Sequence, residues 1–100
     1  MKTYETPWSI GSLFICNKCG KAFDHPDQAD QLKSDLRHFL KEQDGHKKIR
    51  VMVSGCLNVC DKEAQAVCYQ PNQGPTEVFT VEKNYEKSLK ELKVILEEKI

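Results

Sequence analysis

Apolar residues in the first half of the chain fall into two short runs separated by a stretch with helical spacing. The runs at residues 12–16 and 49–53 are typical of buried β-strands. Between them, from Ala29 to Leu40, apolar residues recur every three or four positions, which predicts a helix with one buried face. The first half of the chain is therefore predicted to form a β-α-β unit.

The ends of this first helix are marked by residues with special backbone preferences. Asp24 or His25 can cap its N-terminus, and Pro26 suits the first helical position, where a missing N–H needs no partner. At the other end, Gly45 is predicted to end the helix by adopting a left-handed backbone conformation. Residues 17–24, which precede the helix, are predicted to form a loop that contains Gly20.

The second half of the chain predicts two strands and a closing helix. Strands are predicted at residues 64–70 and 76–80, and the turn-rich connection between them favours a hairpin. The final helix is predicted from about residue 82 to 99, with Ile95 beside its buried face. The residues that mark that face are Tyr85, Leu89, Leu92, Leu96 and Ile100. The order βαβ–ββα predicts an α/β fold, with a four-stranded mixed sheet and two main helices.

Length and charge narrow the classes of function. One hundred residues suit a single domain spanning residues 1–100, in which residues 1–11 are expected to be a loosely ordered lead-in. The 15 basic and 15 acidic residues cancel, so no global attraction to nucleic acid or to an anionic membrane is expected. No apolar run approaches the roughly 20 residues of a membrane span, and the N-terminus lacks an apolar signal segment. These features favour a cytoplasmic protein.

Four of the five cysteines form two close pairs. Cys16 and Cys19 form a C-x-x-C, and Cys56 and Cys60 form a C-x-x-x-C. Because a β-α-β crossover makes its two strands parallel, both pairs should emerge from the same edge of the sheet. That edge is where α/β folds place ligands. Cysteines in a cytosolic chain are kept reduced, so metal binding or redox chemistry is expected rather than a disulfide framework.

Several chemistries fit this set of thiols. Four thiolates suit either tetrahedral zinc or an iron–sulfur cluster. Nearby lysines would partly neutralise the negative charge of either centre. Those lysines are Lys18, Lys21 and Lys62. Alternatively, Cys16 and Cys19 could act as a thioredoxin-type dithiol, although no Trp or Pro adjoins the motif. Cys68 is interpreted as a small buried packing residue rather than a fifth ligand, and His25 as a ligand in a Cys3His zinc site is disfavoured.

The segments FICNKCG, VSGCLNVCDKEAQAVCYQP and TEVFTVE together resemble the thioredoxin-like 2Fe-2S ferredoxins and the related 24-kDa-type subunit of NADH dehydrogenase. The resemblance covers about residues 13–98. It implies a thioredoxin-like fold and a 2Fe-2S cluster. The ligands that it implies are Cys16, Cys19, Cys56 and Cys60.

The same resemblance implies a single-electron carrier rather than an enzyme. Its partners would be a reductase and an electron acceptor, and a homodimer is common in the family. In one respect the chain departs from that family, because its first cysteine pair is more tightly spaced. A tight C-x-x-C also resembles a set of small predicted metal-binding proteins of unknown function, so a structural zinc domain stays open beside the cluster.

Overall fold

The computed structural model describes residues 1–22, 25–57 and 63–100, with side chains for all of these except residues 20–22. Four strands form one sheet, and three helices accompany them. The strands are β1 (Gly11–Cys16), β2 (Ile49–Ser54), β3 (Ala64–Pro71) and β4 (Glu77–Glu82). The helices are α1 (Asn17–Ala22), α2 (Gln28–Glu42) and α3 (Tyr85–Lys99).

The sheet has the strand order β2-β1-β3-β4. β1 and β2 pair in parallel, as expected of strands joined by a helical crossover. β3 pairs antiparallel with both β1 and β4, so the predicted hairpin is confirmed. The predicted fold class is confirmed too: a βαβ–ββα chain with a four-stranded mixed sheet and two long helices. None of the helices in the described ranges has the length and apolar content that crossing a membrane requires.

The main core lies between one face of the sheet and the two long helices. Leu13 and Ile15 of β1 are fully buried there, against leucines of α2 and α3. Alternation along a strand sends every second side chain to this face. On α3, the predicted buried positions Leu92 and Leu96 are confirmed. Ile100 instead stays partly exposed, because it lies past the last turn of the helix.

Three local predictions near α2 were wrong. Residues 17–22, predicted as loop, form the short helix α1. Pro26 lies in a turn ahead of α2, which begins at Gln28, and Asp27 stands at its N-cap without a side-chain cap bond. The proposed cap Asp24 lies outside the described residues. The prediction of Gly45 as the left-handed stop was also wrong, because Asp44 has the positive φ, 56°.

Gly45 has a different role at the end of α2. Its N–H donates to the Leu40 carbonyl at 2.6 Å, which satisfies one of the last carbonyls of the helix. A Cβ at Gly45 would lie 3.1 Å from Leu40 Cδ2 and 3.3 Å from Ile100 Cδ1. The glycine is therefore favoured by close packing, while Asp44 tolerates the left-handed conformation.

The boundary between β4 and α3 also shifts from its predicted place. β4 continues to Glu82, which keeps Val81 buried in the core. α3 then begins at Tyr85, capped by Asn84, whose Oδ1 accepts a hydrogen bond from the Lys87 N–H at 3.1 Å. Asparagine is a favoured N-cap because its side-chain oxygen replaces a missing intrahelical partner.

Candidate metal centre at the end of β1

Cys16 and Cys19 lie together at the end of the first strand. Cys16 is the last residue of β1, and α1 begins at the next residue. One helical turn brings Cys19 back beside it, and the Cys19 side chain hydrogen-bonds to the Cys16 sulfur. Both thiols are buried, with 0% and 1% of their surface exposed. They form a small cluster with Ala66 of β3, separate from the main core, against which Leu57 packs.

Backbone N–H groups from two separate parts of the chain surround the Cys16 sulfur. Burial by itself raises the pKa of the Cys16 thiol, because a thiolate is costly away from water. The N–H groups of Lys18 and Cys19, the Cys19 side chain and the N–H of Leu57 act against burial, and the net pKa is lowered. Leu57 belongs to the second cysteine segment, so that segment's backbone reaches the first cysteine pair.

A backbone donor also reaches the second thiol of this pair. The N–H of Ala66 in β3 donates to Cys19 Sγ at 3.3 Å. Donors to the two sulfurs therefore come from the first cysteine segment, the second cysteine segment and the neighbouring strand. Such N–H···S bonds stabilise thiolates and tune the properties of metal ligands.

The second cysteine pair follows β2, which ends beside Cys16. Cys16 and Ser54 are partners in the parallel register, so both cysteine segments leave the sheet at the same edge. Cys56 lies two residues beyond Ser54 and is exposed. Cys60, the fourth predicted ligand, lies outside the described residues. Among residues 1–22, 25–57 and 63–100, no group of three or more His, Cys, Asp or Glu side chains is placed to hold a metal ion.

The sequence also singled out Cys68, His25 and three lysines. Cys68 is half-buried on β3, opposite Phe14 of β1 and Val78 of β4, surroundings that suit a packing residue. Burial raises the pKa of the Cys68 thiol, which disfavours the thiolate that a metal needs. His25 is exposed in the segment before α2. Lys18 is exposed next to the site. The side chains of Lys21 and Lys62 lie outside the part of the chain that the structure describes.

Gln65 supports the site, and the sequence analysis missed it. Its side chain is fully buried, and Nε2 donates to the Cys16 carbonyl at 2.8 Å and to the Ala66 carbonyl at 3.0 Å. A signal was present: alternation along β3 places this glutamine on the same face as Val67, where a polar residue is unusual. The Oε1 of Gln65 and the buried Oδ1 of Asn17 accept no hydrogen bond within the described part of the chain.

Replacing Gln65 by leucine should therefore destabilise the protein. The change removes the amide that bonds the Cys16 carbonyl, and a buried polar group left without a partner costs about 1–3 kcal/mol. Gln70→Leu, on the same strand but exposed, is the matched control and should change the free energy of unfolding by less than about 0.5 kcal/mol. Chemical denaturation of both variants measures the difference. Equal losses would contradict the role given to Gln65.

Comparisons with known proteins assign no family to this chain: no family model, no curated protein and no solved structure matches it. The resemblance carried by the cysteine segments therefore stays a prediction. What bears on function is the chemistry of the site itself, a buried thiol pair held by backbone donors.

Proposed function

We propose that this chain binds a 2Fe-2S cluster and carries single electrons between partner proteins. The proposed ligands are Cys16, Cys19, Cys56 and Cys60. One observation carries the proposal: the buried Cys16–Cys19 pair receives backbone N–H groups from both cysteine segments. The protein would have no substrate of its own, and it would act with a reductase and an electron acceptor.

The donor set fits such a cluster. Iron–sulfur clusters are held by cysteine thiolates, and hydrogen bonds to the sulfurs help set their reduction potential. The cluster, when bound, accepts and releases one electron. The chain's own contribution is to lower the pKa of Cys16 through the N–H groups of Lys18, Cys19 and Leu57, and to exclude water from the first pair. Cys56 would supply a further thiolate ligand from the edge of the sheet where β2 ends.

Burial of the first pair argues against thioredoxin-type dithiol exchange. The lowered pKa of Cys16 is a property that such a nucleophile needs. A protein disulfide, however, must reach the attacking sulfur in order to be reduced. Cys16 exposes 0% of its surface and Cys19 exposes 1%, so the described conformation offers no attacking thiolate. A metal ligand, by contrast, does not need to be reached by a protein disulfide.

A structural zinc domain on the same four thiolates is the second candidate. The closed surroundings of Cys16 and Cys19 favour it, since structural zinc sites have four protein ligands and no open position. Zinc would hold the two cysteine segments together by coordination and would supply no redox chemistry. Homodimer formation, implied by the resemblance, is compatible with either centre.

Elemental analysis after anaerobic purification separates these functions. We expect about two iron and two acid-labile sulfide per chain, with a red-brown visible absorption that bleaches on one-electron reduction. About one zinc per chain with no sulfide would instead indicate a structural zinc domain and contradict the electron-carrier proposal. Metal-free protein that reduces insulin disulfides, and that loses this activity in Cys16→Ser, would overturn both metal proposals.

A further inference from the structure

An open groove with a basic lining runs between α2 and the strand β2, with a volume of about 440 Å³. Leu40, Ile49 and Val51 line its apolar part. Its basic or protonatable side chains are Arg37, His38, Lys41, His46 and Arg50. His38 pairs with Glu42, which lies outside the lining, at 3.2 Å, so the two arginines and Lys41 carry the positive charge of the groove. No Asp or Glu from the described ranges lines this basic groove, although the chain as a whole has no net charge. The concentration of one charge sign is therefore a local feature.

The two arginines of the basic groove have no acidic partner in the described structure. Neither Arg37 nor Arg50 forms a salt bridge with any residue in the described ranges. Burial lowers the pKa of Arg37, and the nearby positive charge of Arg50 lowers it further. The two guanidinium groups are thus close enough to repel each other. A carboxylate bound between them would relieve that repulsion and form charge-assisted hydrogen bonds.

The basic groove follows an edge of the sheet. β2 is the outermost strand, with β1 on one side only. Arg37 Nε donates to the Val51 carbonyl at 2.8 Å, so this carbonyl of β2 already has a partner, and the other N–H groups of the guanidinium are left for a carboxylate. An edge strand is a template along which an extended chain can lie. Positive side chains at such an edge repel basic segments and attract acidic ones.

We propose that the basic groove docks an extended acidic segment of a partner protein, with its carboxylates paired to Arg37 and Arg50. Charge complementarity selects this occupant, and the groove's position along an edge strand selects its extended form. The proposal goes beyond electron transfer and does not depend on the metal centre. Arg50 lies four residues before Ser54, so the groove is about 13 Å along β2 from the cysteine edge.

Binding of a labelled peptide to the intact 100-residue chain tests this proposal. The probe is a fluorescein-labelled peptide of alternating glutamate and valine, measured by fluorescence polarisation at low and at physiological salt. Arg50→Glu should weaken binding by roughly tenfold or more, because it replaces an attractive contact with a repulsive one. Arg50→Gln should have a smaller effect in the same direction. Amide NMR signals of β2 should shift in the wild-type complex and stay unshifted in Arg50→Glu.

Lys90→Glu is the matched control for net charge. Lys90 is exposed on α3, outside the basic groove, and its reversal should change the affinity by less than about twofold at physiological salt, where distant charges are screened. Equal weakening by Lys90→Glu would overturn the proposal, since net charge alone would then explain binding. Absence of peptide binding would also overturn it. The arginines would then serve to keep other chains from pairing with the exposed edge of β2. Equally tight binding of inorganic pyrophosphate would overturn it in favour of a small-anion site.

Discussion

Cys56→Ser should abolish iron binding while the metal-free protein keeps its fold. Cys56 is exposed in the described structure and is not a member of the buried cluster of Cys16, Cys19 and Ala66. A serine hydroxyl is a far poorer iron ligand than a thiolate, since it stays protonated at neutral pH. We expect iron to fall from about two per chain to near zero, with loss of the visible absorption. Circular dichroism of the metal-free protein should match that of the metal-free wild type.

Two further cysteine variants sharpen this test. Cys60→Ser should lose iron to the same extent, whereas dithiol exchange at Cys16 and Cys19 would leave Cys60→Ser active. Cys68→Ser is the matched control, because it removes a half-buried thiol that lies outside the proposed ligand set. Iron content should be unchanged in that variant. Loss of iron in Cys68→Ser, or its retention in Cys56→Ser, would show that the proposed ligand set is wrong.

The sheet edge that carries the cysteines was predictable because topology leaves few choices. Two apolar runs joined by an amphipathic helix form parallel strands, and parallel strands end at the same edge. The register then pairs Cys16 with Ser54, so the second cysteine segment starts beside the first. None of this required knowledge of side-chain packing. The two distant segments of sequence start at one edge because the strands that precede them are parallel.

The details next to Cys16 were less predictable because tertiary contacts decide them. α1 has six residues, Asn17–Ala22, a length at which isolated helices are unstable and local sequence carries little signal. Cys19 is a buried member of this helix and accepts the Ala66 N–H, a contact between residues 47 positions apart. Gln65 likewise bonds a carbonyl 49 positions away. Neither pairing leaves a periodic trace in the sequence, and only the unusual polar residue on a buried face indicated Gln65.

The site and the main core are separate clusters, and this separation leads to the second large expected effect. Leu92 of α3 is fully buried among the residues that join α2, α3 and the sheet. The Cys16 and Cys19 cluster shares no residue with that core. A cavity at Leu92 should therefore weaken the fold without altering the ligands at the edge of the sheet.

Leu92→Ala should lower the free energy of unfolding by about 2–5 kcal/mol, because it removes buried methyl groups and leaves a cavity. Domains of this size are stable by only about 5–15 kcal/mol, so the melting temperature should fall by roughly 10 °C or more. Val94→Ala is the matched control: Val94 lies two residues away on the same helix and is 48% exposed. Its substitution should cost less than about 0.5 kcal/mol, since alanine also has the higher helix propensity.

Both variants are compared with wild type in the same metal state, because a bound metal adds its own stabilisation. Thermal unfolding gives the stability difference, and iron analysis of the folded proteins gives the metal content. We expect Leu92→Ala to bind iron in the wild-type ratio at temperatures where it is folded. A cost at Val94 equal to that at Leu92 would contradict the assigned buried face of α3. Loss of iron from folded Leu92→Ala would instead show that the helices of the main core position the thiols, so that the two clusters act as one unit.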